Sequence, residues 1–260
     1  MLTVDAWERF EAEADRLGLT HRCASPIAPL TAQLAAEPPP ERATHAVLAL
    51  QAGGTYWEQL RALRRLDSDL DRNADPLDTM TERIAARLAG LLGDGFVNVR
   101  FPFRSGLDFV SLGEKLNVGR RSRLSILLHP QYGSWMAFRM LLFVEDRQGI
   151  VSPAAALAPH PCDSCAGYCR DACPARAFEG PKDNERLNYK SSFEYRRTHP
   201  ETCPSACAAR LACPVGAEFR YPADFIEAAH RRAFAVGTAY LANESKPTPK
   251  TVPPKQGTLF

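Results

Sequence analysis

Cys162-Asp163-Ser164-Cys165-Ala166-Gly167-Tyr168-Cys169-Arg170-Asp171-Ala172-Cys173-Pro174 is the stretch from which the rest of this chain is read. Its spacing is C-x2-C-x3-C-x3-C-P, and a second run, Cys203, Cys207 and Cys213-Pro214, reads C-x3-C-x5-C-P. Seven of the eight cysteines lie in these two runs. The first is close to the thiolate run C-x2-C-x2-C-x3-C-P that holds iron–sulfur clusters, with one extra residue before Cys169. Short spacings let one turning backbone aim several thiolates at one cubane, and the Cys-Pro step then turns the chain away. Disulfide frameworks belong to small secreted domains that cannot build a core. This chain has 260 residues and is 45% hydrophobic. A zinc site takes four ligands and would leave three thiols unexplained. The spacing therefore favours iron–sulfur ligation over zinc, and zinc over disulfides. Cys23, far away in sequence, reads as a small core residue.

A formal net charge of +2 gives no reason to expect nucleic acid or a membrane surface as partner. Residues 1–9 lack a basic region followed by an apolar core, so they do not read as a signal peptide. No apolar run reaches eighteen residues, so no membrane span is expected. Cluster thiolates need a reducing compartment, and a cytoplasmic protein is the expectation.

Periodicity predicts helices over 5–17, 55–66 (Thr55 as N-cap, with Glu58 completing a capping box), from Asp75-Pro76 onward, over 108–116 and over 223–241. Leu77, Met80, Ile84, Leu88 and Leu91 form the buried stripe of the third of these. Strands are expected over 46–50, 96–101, 124–128 and 134–144, with a turn at 129–133 between the last two. The prolines between 26 and 40 read as an extended connection, and the Pro- and Lys-rich tail reads as disordered. No Gly-rich phosphate loop occurs; Gly53-Gly54 reads as a turn. The expected domains are 1–152, an α+β core; 153–242, the cluster module and closing helix; and 243–260, the disordered tail.

His129-Pro130-Gln131-Tyr132-Gly133-Ser134-Trp135, followed by Phe138 and Arg139, resembles the HPxxGxW segment of CblC-type cobalamin-processing proteins. Asp75-Pro76-Leu77-Asp78 and the strand before Gly53-Gly54 resemble that family in the same order, so the likeness covers about 40–145. The chain also resembles epoxyqueuosine reductases, which join a cobalamin-binding nitroreductase-like domain to a two-cluster ferredoxin module. Glu114-Lys115, Gly119 and Gly133-Ser134-Trp135 carry that second resemblance. It implies an α+β, nitroreductase-like sandwich with a C-terminal ferredoxin-like cluster module. Those reductases place a proton-donating aspartate eleven residues before the Glu, where this chain has Phe103. A phenyl ring cannot donate a proton; neighbouring Asp108 reads either as a substitute or as a helix cap.

The resemblances imply cobalamin as a further cofactor, with His129, Tyr132, Gly133, Trp135 and Arg139 as the residues that would meet it. Gly133 would let the backbone approach closely. Arg139, on the Trp135 face of a regular strand, would need an anionic partner if buried. Arg120-Arg121-Ser122-Arg123 reads either as a solvated loop or as a clamp for a phosphate or carboxylate. The crossed pattern of paired-cluster ferredoxins assigns Cys162, Cys165, Cys169 and Cys213 to one cluster. It leaves Cys173, Cys203 and Cys207 to the other, one ligand short. Ser191, Ser192, Tyr189 and His199 are candidate fourth ligands; a three-iron cluster, or no second cluster, is equally open. The expected function is single-electron transfer to a bound corrinoid, with a redox partner protein or small reductant upstream. A plain ferredoxin-type carrier and a flavin-dependent reductase are the alternatives.

Overall fold

The computed structural model of the chain describes residues 1–152, 159–181 and 185–244, with side chains through residue 239. Its contacts divide the chain into two compact units. The first comprises Met1–Val118 and Met136–Ala156; the second comprises Gly119–Trp135 and Leu157–Phe260.

The first unit mixes helices with a four-stranded antiparallel sheet. Helix α1 (Val4–Arg16) starts where the Thr3 hydroxyl accepts from Ala6 N–H at 3.2 Å, and buries Ala6, Trp7, Phe10 and Ala14. Helix α2 (Thr55–Leu66) begins one residue earlier than the capping-box reading requires. Gly54 is its N-cap, so the Thr55 side chain caps nothing. Helix α3 (Pro76–Leu92) opens on proline, whose missing N–H would be unpaired there anyway. It buries Met80, Ile84 and Leu88, while Leu77 and Leu91 are only partly covered. The strands are β1 (His21–Pro26), β2 (His45–Ala52), β3 (Phe96–Arg100) and β4 (Met136–Val144), in the order β1-β2-β4-β3. Central β4 is buried along its whole length, as both of its neighbours require. Strand β1 is not among the expected strands; it ends at Pro26, where the stretch read as an extended connection begins. Its sequence, HRCASP, is polar and ends in proline, which an edge strand tolerates and a core pattern does not reveal. Helix α4 (Phe109–Lys115) is capped by Asp108, whose carboxylate accepts from Val110 and Ser111 N–H, each at 3.1 Å. Phe109 meets Phe138 at 6.0 Å between ring centroids.

In the β2–β4 ladder Ala49 pairs with Met140 and Leu50 with Phe138, so Arg139 is the extra residue of a β-bulge. The alternation used to put Arg139 on the Trp135 face is broken at that residue.

In the second unit the expected strand over 124–128 shrinks to Leu127–Leu128, paired with Arg120–Arg121. Between them the chain turns tightly: Ser122 N–H donates to Ile126 O at 2.8 Å, and Ser125 has φ +61°. Segment 119–135, expected within the first domain, belongs to this unit, and its hydrogen bonds give the reason. Leu187 N–H donates to Arg123 O at 2.7 Å, Ser125 Oγ to Leu187 O at 2.8 Å, and Tyr189 Oη to Leu124 O at 2.9 Å. Helix α5 (Tyr189–Thr198), which no apolar periodicity announces, packs on α6 (Ala223–Glu244) through Phe193 and Phe234 at 6.0 Å. Helix α6 runs through Glu244, so the expected tail begins inside it; the remainder, 245–260, lies outside the described residues.

Candidate functional site

The seven clustered cysteines all lie in the second unit and line two cavities there. Cys162, Cys165, Cys169 and Cys213 line one, of about 370 Å³, together with Arg123, Pro161 and Pro214. Cys173, Cys203 and Cys207 line the other, of about 740 Å³, beside Tyr189, Arg196 and His230. These are the two sets that the crossed pattern assigns. All eight cysteines are unbridged. Among the described residues no three Cys, His, Asp or Glu side chains gather closely enough for a single metal ion. The corners of a cubane hold thiolates farther apart than one tetrahedral ion does. The donor set, soft sulfur in groups of four and three, fits iron–sulfur chemistry.

The first cavity is built from the backbone around each thiol. His160 is buried; its Nδ1 accepts from Cys162 N–H at 3.2 Å, so its proton sits on Nε2, 3.2 Å from Arg120 O. Burial holds its pKa below the ordinary imidazole value, consistent with a neutral ring. Gly167 N–H donates to Cys165 Sγ at 3.4 Å, a bond of the kind that tunes a cluster's potential. Arg120 pairs with Asp163 at 2.9 Å, and Arg123 Nη1 donates to Cys165 O at 3.4 Å. The basic run thus serves the first cysteine loop. Burial pushes the Cys169 thiol up to about 11, and raises Cys162 and Cys213 as well. These thiols keep their protons until a metal displaces them.

Turn 129–133 backs the same cavity. His129 and Gly133 exchange backbone hydrogen bonds of 2.9 Å, and His129 Nδ1 accepts from the N–H groups of Gln131 (3.1 Å) and Tyr132 (3.2 Å). Gly133, at φ +58°, does permit a close backbone approach, but by the chain's own backbone. A Cβ there would stand 1.9 Å from Val215 O, two residues past Cys213. Gly216 answers it: a Cβ on that residue would stand 2.3 Å from Tyr132 O. Tyr132 meets Phe219 edge-on at 4.8 Å. Trp135 is fully buried, with the Arg210 guanidinium 4.4 Å over its ring. Arg210, itself buried, donates to Ser134 Oγ at 3.2 Å and Ser134 O at 2.6 Å. Four of the five residues expected at a corrinoid thus hold the cysteine-rich unit together.

The fifth, Arg139, lies in the first unit. It is 7% exposed, and its Nε and Nη2 donate to Gln51 Oε1 at 2.8 and 2.6 Å. Its guanidinium lies 5.0 Å from the Tyr56 ring centroid. The partner found is therefore a neutral amide and an aromatic face where an anion was expected. Phe103 stacks on Phe101 at 5.2 Å, and Asp108 acts as a cap.

Around the second cavity the reading from sequence missed Arg196, Arg210 and His230. Lone basic residues carry no spacing signal, although His230 falls on the buried side of α6, as does Ala233. His230 Nε2 donates to Cys203 O at 2.9 Å, and burial brings its pKa down to about 4. Of the candidate fourth ligands, Tyr189 and Ser192 line the cavity; Ser191 and His199 do not.

No protein-family model matches this chain, and no curated protein does. Solved structures do. An epoxyqueuosine reductase crystallised with selenomethionine superposes with TM-score 0.52 at 14% identity, covering 86% of this chain and 69% of that one. The epoxyqueuosine reductase of Streptococcus thermophilus gives 0.51 at 12% identity, with coverages of 83% and 67%. An epoxyqueuosine reductase bound to an epoxyqueuosine-modified tRNA-Tyr stem loop gives 0.50 at 14% identity, with coverages of 85% and 68%. At such identities the likeness is one of fold: this chain has an α+β fold similar to that of the epoxyqueuosine reductases. Among the described residues, no helix is long and apolar enough to cross a membrane.

Proposed function

We propose that the protein is an iron–sulfur electron-transfer protein that delivers single electrons to a corrinoid. One observation carries the reading: the cysteines of two successive runs part into a four-thiol and a three-thiol cavity in the crossed arrangement. Cys162, Cys165, Cys169 and Cys213 would hold one cluster, and Cys173, Cys203 and Cys207 the other. Bound there, the clusters supply one-electron redox chemistry; the chain supplies placement and electrostatics. Gly167 and Arg123 fix the first loop's sulfur and carbonyl, while Arg210 adds a buried positive charge near Cys207. The corrinoid part is supported by the fold likeness and by the resemblance around residues 129–139. In this reading those residues act as scaffold rather than as direct contacts.

Epoxyqueuosine itself is not the proposed substrate. General acid catalysis needs a donor within hydrogen-bond reach of the reacting group. The aligned position carries Phe103, and the Asp108 carboxylate is occupied by two backbone N–H groups and the Ser111 hydroxyl. The purified, cobalamin-supplemented protein is expected to leave epoxyqueuosine-containing tRNA unchanged; turnover would contradict this.

The proposal is tested by anaerobic purification with iron, acid-labile sulfide and cofactor analysis, followed by cobalamin titration. Iron and sulfide with a shifted corrinoid spectrum is the expected result. Iron and sulfide with no corrinoid binding below about millimolar, the affinity of a non-specific encounter, leaves a plain carrier. Yellow flavin fluorescence would indicate a flavin reductase instead.

A further inference from the structure

The second cavity has three thiols, and the sequence has no cysteine left to complete it. The eighth, Cys23, belongs to β1 in the first unit. The other candidate donors are committed elsewhere. The Tyr189 hydroxyl donates to Leu124 O at 2.9 Å, and Ser191 Oγ to Glu179 at 3.2 Å. His199 Nδ1 stands 3.0 Å from Thr198 Oγ1 and 3.1 Å from Tyr195 O. His230 spends its Nε2 proton on Cys203 O, and its Nδ1 keeps a lone pair, so His230→Ala tests it as the alternative ligand. Ser192 offers only a neutral hydroxyl. The cavity does hold a permanent cation. Arg196 lines it, its guanidinium lies 4.0 Å from the Phe234 ring centroid, and its Nε is buried with no hydrogen-bond partner. A buried N–H on a fixed positive charge, beside an incomplete thiolate set, calls for an anionic acceptor.

Building on the cluster reading above, we propose that the second cavity is a ligand-binding site. Cys173, Cys203 and Cys207 hold a cluster whose remaining iron takes a small anion from solution, and Arg196 Nε–H hydrogen-bonds that anion. The step is a ligand exchange: water leaves the iron as the anion arrives, no electron moves, and the anion keeps its charge beside the guanidinium. The second cluster would then sense or bind a small molecule, while the four-thiolate cluster only carries electrons.

The probe is ¹³C-cyanide, added anaerobically to the full, cluster-loaded and reduced chain and read by hyperfine coupling in pulsed electron paramagnetic resonance. The expected result is ¹³C coupling to one of two clusters, kept in Cys162→Ala and lost in Cys207→Ala. Arg196→Gln should weaken cyanide binding roughly tenfold, the order lost with one charge-assisted hydrogen bond. Two clusters with no ¹³C coupling would overturn the proposal. So would a cyanide-free spectrum that changes in Ser192→Ala or His230→Ala, since a side chain would then fill the open position. Iron and sulfide for one cluster only overturns this site while leaving the four-thiol reading standing; neither iron nor sulfide overturns both.

Discussion

Gly133 shows how one residue's chemistry is decided by what approaches it. With φ +58° and Val215 O where a Cβ would go, any side chain meets both backbone strain and direct overlap. A non-glycine residue forced into that region costs about 1–3 kcal/mol from strain alone. Gly133→Val is therefore expected to displace the backbone beyond Cys213, lowering iron and sulfide in the four-thiol cavity and sparing the three-thiol one. Full iron content with only a weakened cobalamin shift would instead show that the turn faces a corrinoid. Cys23 lies at the opposite extreme. It is buried, burial pushes its thiol up to about 11, and its Sγ lies 3.4 Å from His21 Nε2. Cys23→Ala should leave iron per chain unchanged and cost about 1 kcal/mol in a denaturant titration, as a small core truncation does. The cysteine spacing made it legible which thiols would line a common cavity, because short loops constrain thiol direction. The duties of His160, Arg196, Arg210 and His230 were not legible, because single basic residues imply nothing until a fold surrounds them with backbone carbonyls.

Among elements, α5 and α6 matter most for the three-thiol cavity. Gly237 of α6 lies against the Phe193 ring of α5: a Cβ there would stand 2.3 Å from Phe193 Cε2. Gly237→Leu improves intrinsic helix propensity by nearly 1 kcal/mol. Even so, it is expected to pry the two helices apart and to cost 1–3 kcal/mol as an overpacked contact. Iron should be lost from the three-thiol cavity and retained in the four-thiol one; a stabilised protein with full iron would contradict this packing. The apolar stripes of α1 and α3 and the buried run of β4 were readable from periodicity, since burial on one face or both leaves a period. Edge strand β1 and helix α5 leave no such period. The bulge at Arg139 was invisible because a single inserted residue changes register without changing composition.

For the whole molecule, the cysteine-rich unit includes segment 119–135, which lies in sequence between the two parts of the other unit. Within that unit, residues 132 and 133 lie against the backbone of Val215 and Gly216, just past Cys213. The central claim is the crossed assignment of Cys173 and Cys213. Electron paramagnetic resonance with iron counting on anaerobically prepared Cys173→Ala, Cys213→Ala and Cys162→Ala tests it most directly. The account predicts that Cys213→Ala and Cys162→Ala lose the same signal, while Cys173→Ala keeps that signal and loses the other. Loss of one common signal in Cys173→Ala and Cys162→Ala, with Cys213→Ala affecting the other, would contradict it.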